Sequence, residues 1–349
     1  AIPGYPDPPG SGLDCLCSMA PSIDPYVVGY YSYSIPGVLD ALARHEQVSI
    51  KFDIEGMAPG EVEHLTFDPR AHWDVVPDML ERPRFLAIVA SNSLATTLAR
   101  KATGRVDGFI IEGPTAGGHN APPRGELHLN EKGEPVYGDR DVVDLAKMRD
   151  LGLPFWLAGG AGSPEKLEAA RADGAVGVQV GTLFAYCEES GMQADIKERV
   201  RQAVIRGDVT VMTDPRASPT GYPFKVVEIA GVNSRAEGRK RCCDLGYLRT
   251  AYRAGDGKLG YRCASEPIDT YLERGGTVAD TEGRKCLCNG LFANIGQPQQ
   301  REENTEELPL LTSGDDLVAL GRFFQCKPQY AAVDVLAYLL QTQPATVEA

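Results

Sequence analysis

The sequence predicts an α/β fold: a TIM-type (β/α)8 barrel, incomplete at its N-terminus and followed by a mostly helical C-terminal extension. Three observations predict it. Short apolar runs recur at about 23-residue spacing, from Phe85 to Phe109 and from Phe155 to Val178, which is the length of a βα repeat. The runs end abruptly in glycine, at Glu112-Gly113, at Gly159-Gly160-Ala161-Gly162 and at Gly181, as buried parallel strands do at their carboxyl ends. Finally, 349 residues with 43% apolar content hold one large barrel or two domains with a sizeable core.

Taken in order, residues 1–25 form an irregular Pro/Gly-rich start. Tyr26 to Tyr31 reads as a strand and Ile35 to Arg44 as a helix with Leu39 and Leu42 on its apolar face. Val48 to Ile54 and Phe85 to Ala90 read as further strands, and Leu94 to Ala102 as a helix stopped by Gly104. Strands at Phe109, Phe155 and Val178 complete a count of six, where a closed barrel needs eight. All six are expected to lie parallel, with the vacant positions filled by the Pro-rich start or by another chain, so a homo-oligomer or a completing partner is expected. The barrel core is assigned to residues 26–212 and the helical extension to 213–349. Within the extension, Leu245, Leu248 and Tyr252 form one apolar stripe, and Val333, Leu336 and Leu339 another. The Glu-rich stretch Gln297 to Leu308 reads as an exposed loop.

Composition excludes several functions. A net charge of −13 argues against nucleic acid and anionic membranes as partners. No apolar run approaches the roughly 18 residues of a membrane span. The opening residues lack the charged start and apolar middle of a signal peptide, so the nine cysteines are expected to be reduced thiols in the cytoplasm.

The chemistry concentrates in two places. The stretch Val106 to Arg124 delivers one histidine, His119, into a small-residue loop directly after the buried run Phe109 to Ile111. Gly117 and Gly118 remove bulk beside it, so a flat ring could approach the backbone. The other four histidines sit elsewhere: His45 follows an amphipathic helix, His64 and His72 lie in a polar connection, and His128 in an exposed stretch. The second place is Pro154 to Phe184. Here Ser163 is a good N-cap, Pro164 a good first helical residue and Gly174 a good stop. Strand, glycine turn, helix, strand, glycine turn is a phosphate-cradling layout, with free backbone N–H groups at two consecutive strand ends. Each turn alone is equally a tight connection without a ligand.

Cys286-x-Cys288, Cys242-Cys243, Cys263, Cys326 and Cys15-x-Cys17 lack the paired C-x2-C spacing of zinc and cluster sites, so no metal is expected. The turn-rich loop Thr213 to Pro223 either covers the site or links two domains.

From about Ile35 to Phe184 the chain resembles the nitronate monooxygenase family of FMN-dependent (β/α)8 barrels, formerly 2-nitropropane dioxygenases. Ala116-Gly117-Gly118-His119 is similar to the family's active-site histidine motif, and Ala158-Gly159-Gly160 with Gly181-Thr182 to its two FMN-phosphate loops. The resemblance implies FMN as cofactor, held by Ser91, Glu112, Gly117, Gly118, Ala158, Gly159, Gly160, Gln179, Gly181 and Thr182. Ser91 stands where some relatives carry a lysine; Lys51, on an earlier strand, reads as a surface residue. Met19-Ala20-Pro21 is a weak echo of the family's opening Pro-Met-Gly turn. The implied substrates are a small nitroalkane or nitronate and dioxygen, with His119 as base or as hydrogen-bond donor to the nitronate. An enoyl-thioester reductase using NAD(P)H shares this site, and a non-catalytic barrel remnant serving as a subunit is the remaining alternative.

Overall fold

A computed structural model describes residues 26–29 and 34–341, apart from 53, 59, 76, 236–238 and 302–305. The strands, in chain order, are β1 (Tyr26–Gly29), β2 (Val48–Phe52), β3 (Glu63–Phe67), β4 (Arg84–Val89), β5 (Gly108–Glu112), β6 (Phe155–Ala158), β7 (Gly177–Gln179), β8 (Thr210–Asp214), β9 (Phe224–Ile229), β10 (Val232–Asn233), β11 (Thr250–Arg253) and β12 (Leu259–Arg262).

Five of them form a parallel sheet in the order β1-β4-β5-β6-β7. Its register aligns Ala87 with Phe109, Phe109 with Phe155, and Glu112 with Ala158, while Ala158 in turn lies opposite Gln179. The carboxyl ends of four successive strands therefore open on one edge. Alternation along the strands sorts the side chains. Phe85, Ala87, Val89, Phe109, Ile111 and Phe155 point to the face covered by the helices Asn92–Lys101, Leu145–Asp150 and Pro164–Ala172, where Leu98, Met148 and Ala170 meet them. The other face carries the smaller cluster Leu86, Ile110 and Ala158, with Ile88 and Trp156 half-buried against it. Gly108 is required here, because a β-carbon on it would lie 2.7 Å from the Pro154 carbonyl oxygen. Among the described residues the sheet stays open, with β1 and β7 at its edges.

Four sequence expectations need correction. The strand at Val48 does not join the parallel sheet: it pairs antiparallel with β3, Val48 opposite Phe67 and Phe52 opposite Glu63. Only ten residues separate β2 from β3, too few for a parallel crossover but enough for a reversal. Val48-Ser-Ile-Lys-Phe52 also alternates apolar with polar residues, as a strand exposed on one face does. Second, the C-terminal extension is not mostly helical. It holds the antiparallel sheet β10-β9-β8, to which it contributes β9 and β10, and the hairpin β11-β12, beside the helices Ile268–Glu273, Val278–Thr281, Leu287–Asn294, Gly321–Cys326 and Ala332–Leu340. Tyr252 of the expected helical stripe lies on β11 opposite Gly260, because Asp256-Gly257, with Gly257 at φ +80°, closes a hairpin there. Third, Val333 and Leu336 are exposed, and it is Val335 and Leu339 that enter the core. Glu307, expected in an exposed loop, is buried between Arg239 and Arg301. The calls on Cys15, Cys17 and Met19 to Pro21 fall outside the described residues.

The largest core cluster draws on both sides of residue 212. Leu183, Tyr186, Val200 and Val204 meet Val227, Leu311, Leu317, Phe324, Tyr330 and Val335. Phe324 has no exposed surface and its ring lies edge-on to Tyr186, with centroids 6.4 Å apart. Phe324→Ala is expected to cost about 3–5 kcal/mol. Denaturant unfolding should show one transition moved to lower concentration; an unchanged midpoint would show that this contact is dispensable.

Candidate active site

A cavity of about 510 Å3 lies beyond the carboxyl ends of β4 and β5, lined by Ser91, Glu112, His119, Asn120, Tyr137 and Thr220 among others. Ser91 ends the turn after β4 and caps the helix that follows, its hydroxyl accepting from the Leu94 N–H at 3.2 Å. Glu112 is the last residue of β5. The loop after it turns at once, the Ala116 N–H donating to the Gly113 carbonyl, and then runs antiparallel to the start of β9: Lys225 N–H donates to Gly118 O at 2.8 Å and Asn120 N–H to Pro223 O at 2.9 Å. That ladder fixes His119.

His119 packs edge-on against Phe224, with ring centroids 4.9 Å apart. Its Nε2 lies 2.7 Å from Ser218 Oγ and 3.4 Å from Thr220 Oγ1, and these two hydroxyls are themselves 2.7 Å apart. Burial pushes the imidazole pKa below its ordinary value of 6.5, so the ring is neutral at pH 7. A neutral imidazole in contact with a hydroxyl pair that reaches the cavity wall can take up a proton and pass it on. The loop Thr213 to Pro223 thus covers the site, as the hairpin turn between β8 and β9. Burial also raises the Tyr137 phenol to about 12, followed by the nearby Asp141 and Asp315 carboxylates, so it is a neutral hydrogen-bonding group there, and its hydroxyl donates to Ala121 O.

The glycine turns lie further along the same edge. Gly159 and Gly160 adopt φ +89° and +64°, a left-handed backbone that favours glycine. Ala158 precedes them as the buried end of β6, and Gln179 ends β7. Gly181 has open space above its Cα, and Thr182 opens the short helix Thr182–Ala185. One detail departs from the sequence reading. Gly117 does not make room for a flat ring; a β-carbon there would lie 2.8 Å from the Ser313 carbonyl carbon, so glycine is needed for the close passage of another backbone. Gly118 donates its N–H to Thr312 Oγ1 at 2.8 Å. Lys51, on β2, lies opposite His64 in the separate two-stranded sheet β2-β3 and is exposed.

The segment that crosses here, Thr312 to Asp316, gave no signal beyond a Gly-Asp turn. Thr182 Oγ1 donates to Asp316 Oδ1 at 2.8 Å and accepts the Gly314 N–H at 3.1 Å, and the Gly162 backbone also hydrogen-bonds the Asp316 carboxylate. Burial raises the Asp316 pKa. Ser218, Thr220, Asn120 and Tyr137 were likewise not singled out as site residues, although the first three lie in stretches the sequence marked.

The thiols form two contacting pairs. Cys263 is drawn down to about 6 by the hydrogen bond from Cys243, and Cys288 to about 7 by the one from Cys286, while both donors are raised. Among the described residues no group of three or more His, Cys, Asp or Glu side chains has an arrangement that holds a metal ion, and no helix is long and apolar enough to cross a membrane.

The arrangement of a parallel sheet, a histidine loop and two glycine turns on one edge is that of a flavin-dependent oxidoreductase class, and comparison with known proteins gives the family. The nitronate monooxygenase family model matches residues 54–245, more than half of the chain, and the chain belongs to that family. A probable nitronate monooxygenase of Staphylococcus haemolyticus is 29% identical over 140 residues, covering 39% of this chain and 36% of that protein. The nitronate monooxygenase of Pseudomonas aeruginosa is 32% identical over 124 residues, covering 34% and 32%. Among solved structures, FabK from Thermotoga maritima aligns with a TM-score of 0.41 at 21% identity, over 74% of this chain and 60% of that one. The matched stretches thus span about a third of these curated relatives.

Whether a flavin mononucleotide suits these residues can be tested on the geometry. Asn120 Oδ1 and Gln179 Oε1 are buried acceptors without a partner, suited to donors on a bound ring or its ribityl chain. The second test is the turn after β7, where Thr182 Oγ1 and the Gly162 backbone hydrogen-bond the Asp316 carboxyl group. A phosphate suits the same donors once that carboxylate leaves. Asp316→Ala is therefore expected to tighten FMN binding by about tenfold, equal to about 1.4 kcal/mol. Riboflavin, which lacks the phosphate, should bind both forms equally in a fluorescence titration. Equal FMN affinity in the two forms would place the phosphate elsewhere.

Proposed function

We propose that this chain carries the active site of an FMN-dependent oxidation of alkyl nitronates, using dioxygen and yielding a carbonyl compound and nitrite. The observation that carries the reading is His119: half-buried, neutral and set beside a cavity at the carboxyl edge of the sheet. Family membership and the orphan acceptors of Asn120 and Gln179 support it. Bound FMN supplies the electron acceptor.

The remaining work falls to side chains. Gly159, Gly160, Gly181 and Thr182, with Ala158 beside them, would hold the phosphate once Asp316 is displaced. Ser91, Glu112 and Gln179, at the strand ends, would hold the flavin, and the Gly117-Gly118 loop presents His119. His119 removes the α-proton of a neutral nitroalkane and hydrogen-bonds the nitronate oxygens. The proton leaves through Ser218 and Thr220, whose hydroxyls run from Nε2 to the cavity wall. Closure of the sheet into the family's barrel, by further strands or by a partner chain at the β1 and β7 edges, belongs to the same proposal.

His119→Asn is expected to cut turnover of a neutral nitroalkane by about 10²–10⁴-fold with FMN still bound. Activity on the preformed nitronate should fall less, since no proton has to be removed. The pH dependence follows from the sign of the shift. A depressed imidazole pKa keeps the base neutral to lower pH, so nitroalkane activity should persist as pH falls past about 6.5 and decline only below the depressed value. Full nitroalkane turnover in His119→Asn would refute the assignment. Bleaching of bound flavin by NAD(P)H would identify a reductase instead.

A further inference from the structure

The thiols that the nitronate chemistry leaves unused gather at one place in the C-terminal extension. Cys286 is the N-cap of the helix Leu287–Asn294, and Cys288 is the second residue of that helix. Cys286 lines a second cavity, of about 400 Å3, beside Glu282, Arg284 and Lys285. Both thiols are half-buried, so the pair is reached from solvent. The Cys286 thiol donates to Cys288 Sγ, and the backbone N–H groups of Tyr247 and Leu248 donate to the same sulfur. The other contacting pair, Cys243 and Cys263, stands close by, with Cys263 buried and its Sγ 3.1 Å from Ser265 Oγ.

The backbone fixes this arrangement. Asn289 N–H donates to Cys286 Sγ, and the Asn289 side-chain amide donates to Cys242 O at 3.2 Å and to Asp244 Oδ1 at 2.6 Å. The start of the helix is thereby tied to the stretch that carries Cys243. Helical backbone at Leu287 sets the Cα atoms of Cys286 and Cys288 about 5.4 Å apart, within the span of a disulfide. The two thiols differ in character. The hydrogen bond from Cys286 draws the Cys288 thiol down to about 7, against burial, and the N–H groups of Leu248 and Tyr247 and the nearby helix N-terminus act in the same direction. Cys286, as the donor, is held above its ordinary value. Among the described residues, the titratable groups that face Cys288 are the thiols of Cys286, Cys243 and Cys263. One accessible thiolate beside one accessible thiol is the arrangement that disulfide exchange requires.

We propose that Cys286 and Cys288 form a dithiol that exchanges reversibly with small disulfides such as glutathione disulfide, Cys288 attacking and Cys286 resolving. The Cys288 thiolate attacks one sulfur of the reagent. A bond from Cys288 to glutathione forms, the S–S bond of the reagent breaks, and one glutathione thiolate leaves with the electron pair. Cys288 then no longer accepts from Cys286, so the Cys286 thiol can give its proton to the departing thiolate. Cys286 next attacks Cys288 Sγ, closes the bond between them and expels the second glutathione thiolate. Two protein thiols are oxidised and one disulfide is reduced to two thiols. A bond closed over a single intervening residue is strained and therefore easily reduced, which makes the step reversible. The inference is independent of the nitronate reading.

The test is incubation of the reduced full chain with glutathione disulfide, followed by peptide mapping in a mass spectrometer. The segment holding Cys286 and Cys288 is expected to lose two hydrogens and to carry no glutathione. In Cys286→Ser the reaction should stop with one glutathione on Cys288, and in Cys288→Ser this segment should react about tenfold more slowly or less. Cys326 is exposed and distant in sequence, so Cys326→Ser is the control and should leave the reaction unchanged. A second measurement needs no variant. Alkylation of Cys288 by iodoacetamide should reach half its limiting rate near pH 7, where its thiol is held, against about 8.5 for an ordinary thiol. A Cys288 left unmodified while Cys326 takes up glutathione, or an alkylation midpoint at the ordinary value, would overturn the proposal. So would a lasting glutathione adduct on Cys288 in the unaltered chain, or stoichiometric zinc in the purified protein shielding the thiols from the reagent.

Discussion

The close passage of the Ser313-Gly314 backbone over Gly117 is the constraint on which the site depends. A β-carbon at Gly117 would lie 2.8 Å from the Ser313 carbonyl carbon and 2.9 Å from the Gly314 nitrogen. The crossing segment is fastened on every side. Leu311 O accepts from Val227 N–H, and Leu311 N–H donates to Ser234 Oγ. Asp315 N–H donates to Thr115 O, and the Asp315 carboxylate pairs with Lys225 at 2.6 Å. Tyr186 and Ser313 share a hydrogen bond of 2.6 Å between their hydroxyls. One stretch of chain thereby clamps the histidine loop, β9 and the glycine turns together.

That clamp links stability to chemistry. Thr312 holds Gly118, the residue before His119, and Thr182 holds Asp316. Buried charge is expensive unless it is well paired, and the raised pKa of Asp316 shows that its hydrogen bonds do not fully offset its burial.

The molecule gathers charge in two contrasting ways. Around His119 the imidazole and the Tyr137 phenol are neutral. Around Arg241 and Arg284 the cations are oriented by carbonyl oxygens. Arg284 joins the two regions through the Ser218 carbonyl.

Much of this was legible in the sequence because it rests on local pattern. The runs at Phe85, Phe109, Phe155 and Val178, each ending in glycine or a polar turn, specified the parallel strands and the edge they share. Ser163-Pro164 specified the start of a helix that begins at Pro164. His119, set after a buried run in a small-residue loop, stood apart from four histidines in ordinary settings. The alternation in Val48 to Phe52 was present too, and its half-exposed strand was mistaken for a buried one. What the sequence could not hold was the pairing of distant segments. Thr312 to Asp316 lies more than 130 residues from Thr182 and nearly 200 from Gly118, and no local period reports that such stretches meet. The reason for Gly117, the hydroxyls of Ser218 and Thr220 on His119, and the Asp316 carboxyl group at Thr182 were decided only when tertiary packing brought those backbones within contact.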